Sequence, residues 1–325
     1  MIEVSGISKT FKVVKRDKGA GAALKALFRR EYKYVEALRE ISFRIGEGEI
    51  VGYIGPNGAG KSTSIKVMSG ILVPDGDACE IMGYTPWKDR REYVKHIGVV
   101  FGQRTQLWWD VPIADSFDLL RDIYKVPEPE YRRQLDMLVQ TLDIAEFLHT
   151  PLRQVSLGQR MRAEIAASLL HGPRLLFLDE PTIGLDAVSK LAVRKFIKEV
   201  NAERKLTVIL TTHDMNDIEA LTDRVVLIGK GRILHDGSMR DIKRHFDTYR
   251  TLTVTFEPHA PPIYADGAEL TDWGSERAVY RIDTAKTTVS RVMAELGAQL
   301  SILDMTSESP PVEEIIAGLY REHDI

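Results

Sequence analysis

Eight consecutive residues, Gly55-Pro56-Asn57-Gly58-Ala59-Gly60-Lys61-Ser62, fit the spacing G-x-x-x-x-G-K-[ST]. The chemistry such a loop performs is phosphate binding. Glycines at 55, 58 and 60 let backbone N–H groups close around a polyphosphate, and a helix starting near Ser62 points its positive end at the same anion. Lys61 adds a point charge on the β/γ side, and the Ser62 hydroxyl is a ligand for Mg²⁺. A second chemical segment, Leu175-Leu176-Phe177-Leu178-Asp179-Glu180, is an apolar run that ends in two acids. Asp179 at the strand tip suits the metal, and Glu180 suits polarisation of a water for attack on phosphorus, since a general base must lie within one hydrogen bond of that water. Each segment has a plain alternative: a glycine turn before a helix for the first, an ordinary strand end for the second.

The elements that must position these groups follow from periodicity. Residues 2–4, 37–43 and 49–54 read as short strands, the third running directly into the glycines, and 62–72 has helical spacing that stops at Pro74-Asp75-Gly76. From 112 to about 153 the pattern becomes helical, with Tyr131, Leu135, Leu138, Val139 and Leu142 on one face of a helix over 128–144. A helix over 156–171, a strand at 174–178, a helix over 187–202, a strand at 206–210 and a helix over 215–221 then alternate. Alternation of this kind means a mostly parallel sheet covered on both faces. Strands at 224–228 and 232–237 close the unit as a hairpin around Gly229-Lys230-Gly231, and beyond about residue 246 a small α+β accessory domain follows. In that last part strands are expected at 251–256, 278–282 and 301–305, with helices over 287–296 and 312–321.

Composition bounds the function classes. The 325 residues carry 44 Lys+Arg against 47 Asp+Glu, a net charge of −3, with 44% hydrophobic residues, so overall charge gives no nucleic-acid signal. The single cysteine, Cys79, excludes an internal disulfide and a cysteine-based zinc site. No run of 18 or more apolar residues exists, and the start lacks the basic-then-apolar order of a signal peptide, so the chain is expected to remain in the cytoplasm and to span no membrane itself.

With these residues in this order the chain resembles the ATP-binding subunits of ABC transporters over roughly residues 1–240. The family's signature, usually Leu-Ser-Gly-Gly-Gln, appears as Val155-Ser156-Leu157-Gly158-Gln159, departing at 155 and 157. The resemblance implies that Ser156 and Gly158 contact the γ-phosphate held by an opposite subunit, although the segment alone also reads as an N-capped helix. By the same resemblance Gln103 senses Mg²⁺ and water, His213 reaches the γ-phosphate, and Asp186, in Gly184-Leu185-Asp186, lies on a loop that crosses the dimer interface. The resemblance also implies that Phe11 stacks on adenine, with a core phenylalanine as the alternative. Asn57, Ala59, Thr63 and Gln159 complete the nucleotide-contacting set. The expected fold is therefore an α/β P-loop NTPase cassette over 1–246, with a mostly parallel sheet core, antiparallel strands and a helical subdomain at about 104–160, followed by a small α+β domain at 247–325. The implied activity is ATP hydrolysis with Mg²⁺, driving a permease on a separate chain, for export, through closure of two cassettes on two ATP. The chain then sits peripherally on the cytoplasmic side of the cell membrane. Alternatives are the energiser of an importer, or a soluble ATPase of the same family acting on nucleic acid or ribosomes; nucleic acid is not the expected partner, because neither a second cassette nor a long coiled coil is present.

Two further segments stand out. The insertion 12–34 holds eight Lys/Arg against two acids, net +6, and Leu24, Leu27, Phe28 and Tyr32 recur at helical spacing. A helix here would be basic on one side and apolar on the other, suited to an anionic membrane surface; a solvated hairpin extension is the alternative. Trp108 and Trp109 are adjacent in the loop before the helical region, and are either core anchors or part of a groove that receives a partner. Neighbours in an extended loop point oppositely, so one ring is expected inside and one outside.

Overall fold

A computed structural model describes residues 2–14, 32–102, 104–246, 249–258 and 261–322. The chain divides into two compact units, residues 1–236 and 237–325. The division falls ten residues before the boundary expected from composition, because the helix over 239–246 groups with the second unit.

In chain order the first unit contains β1 (Ile2–Val14), β2 (Tyr32–Ile45), β3 (Ile50–Ile54), α1 (Lys61–Met68), β4 (Gly76–Ile81), α2 (Arg90–Tyr93), β5 (Ile97–Phe101), α3 (Ile113–Tyr124), α4 (Glu128–Thr141), α5 (Leu157–Leu169), β6 (Leu175–Asp179), α6 (Ala187–Arg204), β7 (Thr207–Thr211), α7 (Met215–Leu221), β8 (Arg224–Gly229) and β9 (Arg232–Ser238). Six strands form the central sheet in the order β5-β6-β7-β3-β8-β9, and β5, β6, β7, β3 and β8 run parallel. Apolar runs fill its middle: every residue of β7 and the first four of β6 are buried, as expected for strands covered on both faces. The step from β8 to β9 uses Lys230 and Gly231, both at positive φ, the backbone a two-residue hairpin turn requires. A second, antiparallel sheet has the order β2-β1-β4.

The chain enters β1 and β2 for much longer than the apolar pattern alone indicates. The two strands pair, with register shifts between Val4 and Thr10, out to Lys12↔Tyr34, Val13↔Lys33 and Val14↔Tyr32. Tyr32 therefore belongs to a strand, not to the helix that the spacing of Leu24, Leu27, Phe28 and Tyr32 predicts; the cross-strand ladder wins over local periodicity at this end. Residues 15–31, with the rest of that helix, lie outside the described residues.

The second unit contains α8 (Met239–Phe246), β10 (Tyr249–Phe256), β11 (Ala268–Trp273), β12 (Arg277–Asp283), α9 (Val289–Gly297), β13 (Ile302–Glu308) and α10 (Val312–Glu322). Its four strands form an antiparallel sheet, β11-β12-β10-β13. Leu252, Val254 and Phe256 of β10 and Ala278, Tyr280 and Ile282 of β12 alternate inward and pack with Val292 and Leu296 of α9. β11 carries only Ala268, Leu270 and Trp273 as partly buried apolar residues in this core, which explains why its sequence does not announce a strand. Among the described residues no helix is long and apolar enough to cross a membrane.

Candidate functional site

The glycine loop joins β3 to α1. Gly58 and Gly60 take positive φ values of 82° and 114°, and at Gly60 a Cβ would lie 2.7 Å from the Ala37 carbonyl oxygen, so the turn into the helix accepts glycine only. α1 is anchored from below by the buried Tyr53 hydroxyl, 2.9 Å from Ser64 Oγ. Lys61 is 7% exposed and folds back across the loop, donating from Nζ to the carbonyl oxygens of Gly55 at 2.5 Å and Pro56 at 3.2 Å. Burial lowers its pKa, while the nearby carboxylates of Glu180 and Asp179 oppose that shift. A largely desolvated ammonium bound to loop carbonyls can exchange them for phosphate oxygens when a phosphate occupies the loop.

β6 delivers Asp179 beside this loop. Its Oδ2 accepts from Ser62 Oγ at 3.3 Å, and its Oδ1 accepts from Thr211 Oγ1 at 2.5 Å. Glu180 follows at φ 57°, a left-handed conformation unusual for a residue with a side chain, held by its N–H donating to Thr211 O at 2.9 Å. Its Oε1 is 2.7 Å from His213 Nε2. Gly102, at the end of β5, donates its N–H to Asp179 O at 2.8 Å, and a Cβ there would come within 2.9 Å of both Asp179 O and Glu180 O. The residue after it, Gln103, lies outside the described residues.

Two adjoining clefts share Glu180. One, of about 380 Å³, is lined by Ser62, Lys66, Phe101, Gly102, Asp179 and Glu180 among others. The other, of about 300 Å³, includes Thr182, Gly184, Lys190, Thr212 and His213. Among the described residues no cluster of three or more His, Cys, Asp or Glu could cage a metal. A cation held by Ser62 and Asp179, with Gln103 as the third side chain expected from the sequence, would draw its remaining ligands from phosphate oxygens and water, the habit of Mg²⁺.

The remaining sequence-predicted residues line neither cleft. Ser156 caps α5: its hydroxyl accepts from Gln159 N–H at 3.2 Å, and Gln159 Oε1 accepts from Ser156 N–H at 2.8 Å, a closed capping box. Asp186 caps α6 in the same manner through Ser189, whose N–H and hydroxyl donate to it at 2.9 and 2.8 Å. These two caps touch. A Cβ on Gly158 would stand 2.6 Å from Ser189 Oγ, and one on Gly184 would stand 2.8 Å from Leu157 Cδ2. Asn57 is exposed on the loop, Ala59 is buried within it, and Thr63 is half-buried in the first turn of α1. Phe11 is half-buried in β1, opposite Val35, with Lys9 Nζ 5.9 Å from its ring centre. The tryptophans correct the in-and-out expectation: Trp108 is 40% exposed and Trp109 50%, so both rings face outward. The Arg160 guanidinium lies 5.5 Å from the Trp109 ring centre. Sequence reasoning also passed over Thr211, which orients both Asp179 and Glu180; its signal was the Thr211-Thr212 pair immediately before His213.

Comparison with known proteins gives the same picture. The profile of the family described as ABC transporter matches residues 38–183. The ABC transporter ATP-binding protein NatA of Bacillus subtilis (strain 168) is 30% identical over 215 residues, 66% of this chain and 87% of that protein. The linearmycin resistance ATP-binding protein LnrL of the same organism is 27% identical over 299 residues, covering 90% of this chain and 96% of the relative. A solved dimeric ATP-binding cassette in a post-hydrolysis state with ADP and Pi superposes with a TM-score of 0.61 at 25% identity, over 74% of this chain and 99% of that one.

Proposed function

Because the chain belongs to the ATP-binding proteins of ABC transporters, a family of ATPases, we propose that it powers export through a membrane permease on a separate chain, by closing with a second cassette over two ATP. The observation that carries this reading is Glu180, held at positive φ between Asp179 and His213 and facing the cleft at the phosphate loop.

In this reading the loop amides and Lys61 hold the β- and γ-phosphates. Ser62 and Asp179 hold Mg²⁺, joined by Gln103, and the ion supplies neutralisation of the phosphate oxygens. Glu180 accepts the proton of a water as its oxygen bonds to the γ-phosphorus and the bond to the β–γ bridging oxygen breaks, giving ADP and inorganic phosphate. His213, hydrogen-bonded to Glu180 here, is placed to steady the γ-phosphate. Phe11 supplies the face for adenine. Ser156 and Gly158, which line neither cleft of their own chain, serve the nucleotide of a partner cassette, with Asp186 crossing between the two. The similarity to LnrL, a resistance protein, over nearly its whole length favours the export direction.

The hairpin arms support contact with an anionic membrane surface on the cytoplasmic side. Val13, Val14, Tyr32, Tyr34 and Val35 are exposed there, and Lys12 Nζ sits 3.9 Å over the Tyr32 ring. The outward Trp108, Trp109 and Val111 offer the apolar anchors a permease segment would cover. The test is affinity capture of the Glu180→Gln protein with ATP from detergent-solubilised host membranes. A stoichiometric multi-span membrane protein is expected; ribosomal or DNA-repair proteins without one would overturn the transporter reading. Removal of 12–34 is expected to weaken co-sedimentation with anionic vesicles, and unchanged sedimentation would return the hairpin to a solvated extension.

A further inference from the structure

Behind Glu180 and His213 lies a buried polar cluster that none of the roles above uses. At its centre is Asp217 of α7, fully buried at 0% exposure. A buried carboxylate is costly unless every lone pair is engaged, and here the engagement is specific. Oδ2 accepts from two hydroxyls at once, those of Thr182 and, at 3.2 Å, Thr212. Oδ1 accepts from Arg194 of α6, whose Nε is at 2.5 Å and whose terminal nitrogen also reaches it. An outer layer completes the cluster: Asp214 Oδ2 pairs with Lys190 at 2.6 Å and lies 3.7 Å from Arg194.

The sequence positions of the two threonines give the cluster its meaning. Thr182 stands two residues after Glu180, and Thr212 stands one residue before His213. Both are buried, at 2% and 3% exposure. We propose that Asp217 is a positioning residue: through one oxygen it staples the loop after β6 to the loop after β7, and so fixes the separation of Glu180 and His213. The proposal rests on the reading that Glu180 and His213 act in hydrolysis. Glu180 sits in a left-handed conformation that the surrounding structure must impose, and displacements of about 1 Å at a reacting group cost about 100-fold in rate. Arg194 neutralises the staple and ties it to α6, the helix that Asp186 begins.

The experiment separates the hydroxyl from the methyl of each threonine. Thr182→Val and Thr212→Val keep the shape and remove the bond to Asp217, the second also removing the acceptor of the Asp214 N–H at 3.0 Å; Thr182→Ser and Thr212→Ser keep the hydroxyl and remove the methyl. Steady-state ATPase and binding of a fluorescent ATP analogue are measured on the full chain beside Glu180→Gln. Each valine variant is expected to lower kcat about tenfold with nucleotide Kd changed less than threefold, and each serine variant to recover most of the loss. The double valine variant should lose less than the product of the single losses, because both hydroxyls act through one oxygen. Valine variants within twofold of the parent kcat, or serine and valine variants impaired alike, would overturn the staple. If a valine variant does not fold, Thr182→Ala or Thr212→Ala, which also lacks the hydroxyl that donates to Asp217, answers the same question: kcat is expected to fall about tenfold at unchanged Kd, and a kcat within twofold overturns the proposal. Brisk turnover by Glu180→Gln would instead remove the underlying assignment, whatever the threonines do.

Discussion

His171, just past the C-terminal end of α5, makes the acid stability of the first unit calculable. Its ring stacks on Tyr124 of α3 at 3.9 Å and 9°, and its Nε2 lies 2.9 Å from the Ile97 carbonyl of β5, so Nε2 carries the hydrogen. Nδ1 is buried without a hydrogen-bond partner. Protonation would place a charge and a second N–H where nothing accepts it, and burial, the dominant cause, lowers the pKa from 6.5 to about 4. A base whose folded pKa is depressed favours the folded state only while neutral. Below 6.5 the unfolded chain takes up the proton first, and stability drains away until the folded pKa is reached near 4. At about 1.36 kcal/mol per pH unit, that gap is worth roughly 3 kcal/mol. His171→Phe keeps a ring against Tyr124 and removes the titration, losing only the bond to Ile97, about 1 kcal/mol at every pH. Urea unfolding of both proteins at intervals from pH 7.5 to 4.5 should show the parent losing about 2 to 3 kcal/mol more than the variant across this range. A difference that stays constant with pH would refute the reasoning.

Three other perturbations have defined outcomes. Lys61→Ala removes the only side-chain cation on the phosphate loop and should weaken ATP binding by about two orders of magnitude in a filter or calorimetric assay, whereas parental affinity would contradict the cradle. Glu164 of α5 is buried and accepts from Thr105 and from the Gln106 N–H at 3.2 Å, and burial raises its pKa above 4.5. For a carboxyl with a raised folded pKa, stability falls as pH rises from 4.5 towards that pKa, because the unfolded chain releases its proton first; Glu164→Gln should remove this fall, and parallel unfolding profiles would argue against it. Gly158→Ala drives a methyl to 2.6 Å from Ser189 Oγ and should disturb the contact between the two helix caps. ATP binding is expected to survive while ATP-dependent dimerisation, followed by light scattering, is lost; normal dimerisation would show that the cap contact does not matter.

What the sequence made legible follows local physics. The phosphate loop, the apolar β6 ending in Asp179 and the capping box at Ser156 are written in contiguous residues, so spacing alone locates them. β11 was missed because its core contribution is only Ala268, Leu270 and Trp273, too little to produce an alternating signature. The long arms of β1 and β2 were legible only as the alternative, a hairpin extension, because their outer residues pair with each other and bury little, so no alternating buried pattern competes with the helical spacing that ends at Tyr32. The outward facing of both Trp108 and Trp109 depends on what surrounds the loop, which alternation cannot supply. The cluster around Asp217 joins residues from α6, α7 and two loops, and such convergence exists only once the parallel sheet has brought β6 and β7 side by side.

The central assignment is Glu180 as the base, and phosphate release by Glu180→Gln tests it most directly. The amide keeps the volume and the cleft but cannot take the proton, so turnover should fall by about 10² to 10⁴ while ATP remains bound and the protein migrates as a dimer. Phosphate release within tenfold of the parent would contradict the account.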